Sequence, residues 1–424
     1  MTLGPVYSSP SSKINSGAAF FEFAPTSGTG IGAACACAAV TGSKGEVVTH
    51  TRASSAICLK QGLARTGIVN GDAVSCGNNL PRVEYDGAVN GLLMEEARTN
   101  TLLRSSELGT APWTIASGGG ASNPTITADF GVAPDGTTSA DRVQIPGCST
   151  GGSYSLVLQD YTGSVATWAT SMFIKGTSGS GNILLISLDA TLVSGLFVSC
   201  AYNSSTWTWC GGPGAPLTKA FANAASRVYL GCDNNSGAVV GTTDTGVADV
   251  LVWNVQAEAG AFPTNPIATT SATVTRAIDA NAINGASFPA APFSVSAYMT
   301  TEFPSGLGLN GAVLEGQVGS ASGAGFFYIA GFLRLQTLNA GSQNISSTPT
   351  VVAGNTYRVG GVNSGGNSSL YFGGALVAGP TAKNNTAAPW SGTTGIGYAP
   401  AAPFPANGII SRVCLDSSTT RCVP

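Results

Sequence analysis

The sequence predicts an all-β protein: tandem β-sandwich and jelly-roll domains behind an irregular, β-containing N-terminal segment. Glycine and proline point there first, because 57 glycines and 22 prolines in 424 residues interrupt any helix long enough to dominate the fold. Short β-branched and aromatic runs bounded by Gly, Ser and Asn clusters point the same way. So does the alternation in Phe293–Thr300, where Phe293, Val295, Ala297 and Met299 are separated by more polar residues, the period of a strand with one buried face.

Composition narrows the function. Charged residues are 9% of the chain, against an ordinary share of about 25%. The exterior must therefore be covered by Ser, Thr, Asn, Gly and backbone. With 43% apolar residues and a net charge of -3 the chain is no candidate for disorder. No basic run offers phosphate contacts, so nucleic acid is excluded as a partner.

From the N-terminus, Met1–Gly17 lacks a basic stretch followed by an apolar one, which predicts no secretory signal. The apolar run Ile31–Val40 is too short to span a bilayer, so no membrane insertion is expected. Ten cysteines in 424 residues are too dilute for a small disulfide scaffold and are expected chiefly as buried thiols, although Cys414 and Cys422 are placed to bridge a terminal hairpin. Cys35 and Cys37 form a C-x-C pair with no histidine nearer than His50, so neither a metal nor any other cofactor is expected.

Charge is unevenly spread. Arg82, Glu84, Asp86, Glu95, Glu96, Arg98, Arg104 and Glu107 cluster around the apolar Leu92–Met94 and Leu102–Leu103, the pattern of paired charges at a domain junction. A boundary is placed near residue 100, giving an N-terminal segment 1–100. A jelly roll follows over 101–284, with strands at Ser171–Lys175, Leu184–Leu188, Gly195–Ser199, Arg227–Leu230 and Val247–Trp253. Thr269–Asn284 reads as a connector without strong periodicity. A final sandwich covers 285–424, with strands at Phe293–Thr300, Gly325–Ile329, Phe332–Leu335, Thr356–Val359, Ser369–Phe372 and Gly408–Val413, and a hairpin turn at Gly373–Gly374.

Thr51–Ser55, Pro81–Asp86 and Gly91–Asn100, with Ala133–Thr138, Trp253, Gln256, Glu258, Gly260, Phe262, Thr264 and Thr273–Asp279, resemble a module of bacteriophage tail-fibre and head-fibre proteins. The resemblance runs over roughly residues 45 to 280, departing at Pro263 and at Asn265–Pro266. It implies a carbohydrate-binding-module-like jelly roll behind a virion-facing attachment and oligomerisation segment. The last unit resembles a concanavalin/laminin-G-type sandwich. The resemblance further implies a virion protein assembled in the host cytoplasm, displayed on the particle exterior as a homo-oligomer, a trimer, among other virion proteins, and binding host-surface glycan for adsorption. A capsid head-fibre or decoration protein bound to other virion subunits is the second reading, and a polysaccharide depolymerase the third.

Sugar recognition pairs aromatic faces with amide and hydroxyl groups. Trp390 with Asn384 and Asn385 is one candidate. Trp207 and Trp209, on the same face of a strand, are either a second platform or core residues. Catalysis is not expected. His50, the one histidine of the chain, lies in an apparent strand, which leaves Ser-His-Asp chemistry without a natural base. The adjacent Glu95 and Glu96 point to opposite faces, unlike an acid and base pair. Glu302, Glu315 and Asp416, the acids of the last unit, poorly supply a calcium site.

Overall fold

The computed structural model describes residues 19–21, 40–41, 47–59, 67–85, 90–164, 166–191, 195–212, 216–234, 243–244, 246–283, 293–301, 310–318, 322–329, 332–339, 342–347, 351, 355–364, 366–382, 394–396 and 408–416. Among these residues every regular element is a strand, and every pairing is antiparallel or an isolated bridge. The strands expected from the β-rich runs are present, most of them longer than their apolar centres. Ser171–Lys175, for example, is the middle of Thr167–Gly176.

The jelly roll is built from two six-stranded sheets. One orders Thr125–Val132, Thr138–Ile145, Ala248–Ala259, Thr167–Gly176 and Thr208–Cys210, with Leu217–Ala220 also on Thr167–Gly176. The other orders Gly195–Asn203, Ser180–Asp189, Ala225–Asn234, Tyr154–Asp160 and Thr114–Gly118, with Thr243–Asp244 on Ala225–Asn234. Alternate residues from both fill the space between them. Met172, Ile174, Val250 and Val252 meet Val157, Leu185, Val228 and Leu230, all fully buried. The outer face of the first sheet is also apolar, with Phe173, Trp253 and Leu251, and the hairpin of Ala56–Leu59 and Ala73–Cys76 closes it through Leu59, Ile68 and Ala73.

Two eight-stranded sheets make the second sandwich. The first contains Ala375–Ala382, Asn367–Phe372, Thr356–Asn363, Phe293–Thr301 and Gly408–Asp416, and the second contains Thr394–Ile396, Asn310–Val318, Ser322–Ile329, Phe332–Asn339 and Ser342–Ser347. They approach closely where Leu335 of one reaches Gly361 of the other. Gly373 and Gly374, with φ of 61° and 86°, form the two-residue turn between Phe372 and Ala375, a backbone that glycine adopts without a steric cost. Phe293–Thr301 departs from the single buried face expected of it. Ser294 and Ser296 are buried along with Val295 and Ala297, so both faces of this strand are covered.

The N-terminal segment does not stand apart. Ala19–Phe21 pairs with Gly408–Asp416, as does Asn90–Met94, which carries Arg82–Tyr85 beyond it. Val47–Thr51 pairs with Ala280–Ile283, which pairs with Thr394–Ile396. Described residues before 100 thus complete both sheets of the last sandwich. The expected connector over Thr269–Asn284 is likewise structured, with strands at Val274–Arg276 and Ala280–Ile283.

The expectation of buried thiols is corrected. Cys148 is bonded to Cys232 and Cys200 to Cys210, Cys58, Cys76 and Cys414 are also in disulfides, and no described cysteine is free. Cys422, the proposed partner of Cys414, lies outside the described residues, as do Cys35 and Cys37.

Candidate functional site

Where the hairpin, the jelly roll and the last sandwich meet, the sparse charge of the chain is gathered into one buried knot. Asp279 follows the short strand Val274–Arg276, and its backbone N–H donates to the Glu95 carbonyl. Its Oδ1 accepts from Arg52 Nη1 at 2.9 Å, and its Oδ2 accepts from Arg82 Nη2 and from the backbone N–H of Glu95 at 3.0 Å. Glu95 Oε2 takes Arg82 Nη1 at 2.6 Å and Arg276 Nη1 at 3.0 Å, and its Oε1 takes the Asn265 backbone N–H at 2.7 Å. Glu84 Oε1 accepts from the Leu59 N–H at 2.8 Å and from Asn265 Nδ2 at 2.7 Å. Arg52, Arg82, Arg276, Glu84, Glu95 and Asp279 are each at most 1% exposed.

Three guanidiniums facing three carboxylates leave the knot without net charge. That balance is what makes burial tolerable, because an unpaired charge in such a place costs several kcal/mol. Burial pushes the Asp279 carboxyl up, but Arg82, Arg276 and Arg52 outweigh it and hold the group below its usual range. Further arginine donors go to backbone carbonyls, Arg52 to Ser54 and Gly77, Arg82 to Ile57 and Arg276 to Glu96, while the Nε–H groups of Arg82 and Arg276 find no acceptor among the described residues.

His50 borders this cluster. Its Nδ1 lies 2.6 Å from Asn281 Oδ1 and its Nε2 lies 3.0 Å from Arg52 Nη1, so a neutral ring with its proton on Nδ1 satisfies both contacts. Burial lowers its pKa and outweighs the pull of Asp279. In the unfolded chain the ring regains a value near 6.5. Stability carried by the neutral ring is therefore complete above about pH 6.5 and is lost as pH falls toward the lower folded value. With a single histidine in the chain the assignment is direct. The imidazole resonance should titrate with a midpoint below 6.5, and His50→Gln should flatten the fall in urea midpoint below pH 6.5. A midpoint at or above 6.5 would refute the neutral, buried ring.

A second, more neutral layer joins the junction to the jelly roll. Asn100 uses its whole amide, with Nδ2 donating to the carbonyls of Val255 and Ile267 while Oδ1 accepts from the N–H groups of Leu102 and Ala257. Glu258 takes the Thr264 N–H at 2.6 Å and Gln256 Nε2 at 2.7 Å, and burial pushes its carboxyl up against the opposing pull of Arg98. Arg98 stacks over Phe262 at 4.9 Å, and only a glycine fits at position 260, where a Cβ would lie 1.2 Å from Arg98 Nη1.

The sequence candidates for sugar binding fare differently. Trp207 is fully buried and donates from Nε1 to Asn70 Oδ1 at 2.9 Å, and Trp209, 8% exposed, stacks on Phe173. Both belong to the core beneath the hairpin of Ala56–Leu59 and Ala73–Cys76, which corrects their reading as a sugar platform: neither ring offers an open face. Trp390, Asn384 and Asn385 lie outside the described residues. Glu95 is buried while Glu96 is partly exposed and pairs with Arg98, so the two acids do point apart. Among the described residues no group of three His, Cys, Asp or Glu side chains could hold a metal ion.

Beside the knot, between the hairpin and the 266–276 stretch, is a cavity of about 280 Å³ walled by Ser55, Ile57, Ser75, Asp135, Ile267 and Arg276, among others. Sequence reasoning missed both this cavity and the roles of Arg52, Arg276 and Asp279. The available signal was charge itself, since an Arg and an Asp three residues apart stand out in so charge-poor a connector.

No family model and no curated protein sequence matches this chain. Among solved structures it is distantly similar to β-sandwich domains. Domain 4 of the extracellular arabinanase AbnA of Geobacillus stearothermophilus, solved with arabinotriose, shares 13% identity at a TM-score of 0.29 over 33% of this chain and 66% of that one. A botulinum neurotoxin type C structure, described as depending on two ganglioside molecules for cell entry, shares 15% at 0.28 over 35% and 38%. Domains LG4-5 of the mouse laminin α1 chain share 13% at 0.26 over 60% and 85%. The chain thus spans less than two thirds of the length of the first two.

Proposed function

We propose that this protein is a bacteriophage virion structural protein of the tail-fibre type, displayed on the particle exterior, that binds host-surface glycan and breaks no bonds. One observation carries the reading. The residues through which the chain resembles fibre modules, Arg52, Arg82, Glu84, Glu95, Arg276 and Asp279, converge from four separate stretches into a single buried, charge-balanced knot. Their chemistry is spent on holding the hairpin, the jelly roll and the last sandwich together. A hydrolase of polysaccharide needs a carboxyl pair that substrate can reach, and the carboxylates gathered at this junction, Glu84, Glu95, Glu258 and Asp279, are shut away from solvent and do not form one. A rigid, weakly charged, hydroxyl-rich particle of this kind suits contact with neutral sugars and with other virion subunits.

The test is adsorption. Purified protein added in excess should slow phage attachment to host cells at least several-fold, bind host envelope polysaccharide, release no new reducing ends from it, and elute from sizing columns as a trimer. A labelled copy in intact particles should decorate the tail. Label on the capsid surface, with no competition for adsorption, overturns the tail-fibre reading in favour of a head-fibre or decoration protein.

A further inference from the structure

We propose that the open edge of the jelly roll around Phe130, Arg142, Gln144 and Asp249 is a docking strip for a neutral disaccharide, an inference that rests on the glycan-binding reading and gives it a place. Among the described side chains Phe130 is the one aromatic ring that stands exposed, at 49%. It lies on Thr125–Val132, an edge strand of its sheet, and it sits in a bulge. Thr127 faces Arg142 and Gly131 faces Ala140, so Ala128, Asp129 and Phe130 together oppose Asp141. Asp129 has a φ of 49°, in the region that favours glycine. The buried Asp141 holds it there, with Oδ1 accepting the Asp129 N–H at 2.9 Å and Oδ2 the Leu108 N–H at 2.6 Å. A bulge blunts a sheet edge, but edges are otherwise protected by charge or proline and not by a half-exposed phenylalanine. A left-handed residue held in place so that its neighbour is aimed at solvent points to a contact site.

The groups beside the ring are fixed and within reach of a ligand. The Arg142 guanidinium carbon lies 4.8 Å from the centre of the Phe130 ring. Its Nε and Nη2 donate to Asp249 Oδ1 and Oδ2 at 2.8 and 2.5 Å, and Gln144 Nε2 donates to the same Oδ2 at 3.4 Å. Arg142 Nη1, a donor, and Gln144 Oε1, an acceptor, are left without a partner among the described residues. The side chains of Arg142 and Asp249 are 27% and 31% exposed, and Gln144 is half-buried. Residues directly opposite on paired strands share a face. Register therefore sets Thr127 beside Arg142, and Thr125, Gln144 and Asp249 in one row, on the face away from the core residues Val143 and Val250.

Size and charge select the ligand. With strands about 4.8 Å apart and two-residue steps of about 7 Å, the strip from Thr125 across to Asp249 and along to Arg142 measures roughly 10 Å by 7 Å. That is small beside the ~800 Å² per partner of a stable protein interface. It suits two sugar rings, one against Phe130 and the next over Gln144 and Asp249. Arg142 takes one face of the Phe130 ring, so the exposed surface is the other face and the rim, where the C–H side of a sugar can rest. Hydroxyls both donate and accept, which matches the acceptor left on Gln144 and the donor left on Arg142. Arg142 and Asp249 cancel, and the exposed Asp129 carboxylate repels anions, so the sugar is a neutral one.

The experiment uses the full chain and three probes, lactose, maltose and cellobiose, followed by saturation-transfer NMR and calorimetry. At least one should bind. Phe130→Ala, which removes an exposed ring and opens no core, should weaken that binding at least tenfold, while Phe130→Trp, which restores an aromatic face, should retain it. Val132→Ala, exposed on the same strand, should leave it unchanged. Gln144→Ala should weaken it several-fold, and it serves as the second variant if Phe130→Ala fails to fold. Wild-type affinity in the folded Phe130→Ala or Gln144→Ala variant, or no binding of any probe, overturns the proposal. If wild type and Phe130→Ala capture host envelope polysaccharide equally, the strip falls while the adhesion reading stands. If wild type captures none, it is the adhesion reading that falls.

Discussion

Asp279→Ala should be the most damaging single substitution in the junction, costing about 3–5 kcal/mol, the range measured when one member of a buried ion pair is removed. The carboxylate accepts from Arg52, Arg82 and the Glu95 backbone at once. Alanine leaves two buried guanidiniums facing each other with their shared counter-charge gone. Arg82 depends on it most, since Asp279 is the strongest of the acids holding its pKa above the ordinary arginine value against complete burial. The contrast is Asp160, which pairs with Arg227 on the surface and is 62% exposed, so that Asp160→Ala should cost less than about 1 kcal/mol. Urea unfolding of both variants checks this. Equal midpoints would mean that the knot is incidental and that the sandwiches hold each other by apolar contact alone. Lowering the pH should act in the same direction as the substitution. The depressed Asp279 contributes stability that is present above the unfolded value near 3.9 and is lost as pH falls through the folded one. Glu258, raised by burial, works oppositely, so Glu258→Gln should lose little at neutral pH and steepen the acid loss.

The layers of this fold were legible because the longer apolar strands announce themselves locally. Ser180–Asp189 and Thr167–Gly176 carry continuous apolar centres, and Gly373–Gly374 fixes a turn between its neighbours. What local pattern does not carry is pairing at a distance. Val47–Thr51 reads as a strand, but its partner Ala280–Ile283 lies more than 200 residues away in a stretch without periodicity, and three- or four-residue strands leave no period to detect. The N-terminal segment therefore looks separate in sequence and is not separate in space. The site shows the same division. Grouping of charges between Arg82 and Glu107 marks a junction, yet which acid meets which base depends on Asp279 and Arg276 arriving from the far side of the jelly roll. In sequence the tryptophans stay open between platform and core for a different reason. Alternation puts Trp207 and Trp209 on one face, but the outer face of that sheet is covered by Ile57, Leu59, Ile68 and Ala73, and a covering hairpin cannot be seen from the strand that it covers.

Loss of the Cys148–Cys232 disulfide should be the second large effect. The two cysteines are buried and 84 residues apart, and they cross the jelly roll from the loop after Thr138–Ile145 to the strand Ala225–Asn234 of the facing sheet. Closing so long a loop removes much of the freedom of the unfolded chain, worth about 4.5 kcal/mol on the chain-entropy estimate. The Cys200–Cys210 bond closes a loop of only 10 residues and on the same estimate is worth about 2.7 kcal/mol. Replacing each pair with alanines, which keeps the sites apolar, should lower the urea midpoint for both, and further for the 148–232 pair. The order matters more than the size, because strain or residual structure can change either value while loop length alone predicts the ranking. If removing the short bridge costs as much as removing the long one, cross-linking the two sheets, and not restricting the unfolded chain, is what these bonds contribute. Reducing conditions should produce the weaker form of the folded protein, so material prepared under reductant should gain resistance to urea on oxidation without any change in its β content by circular dichroism.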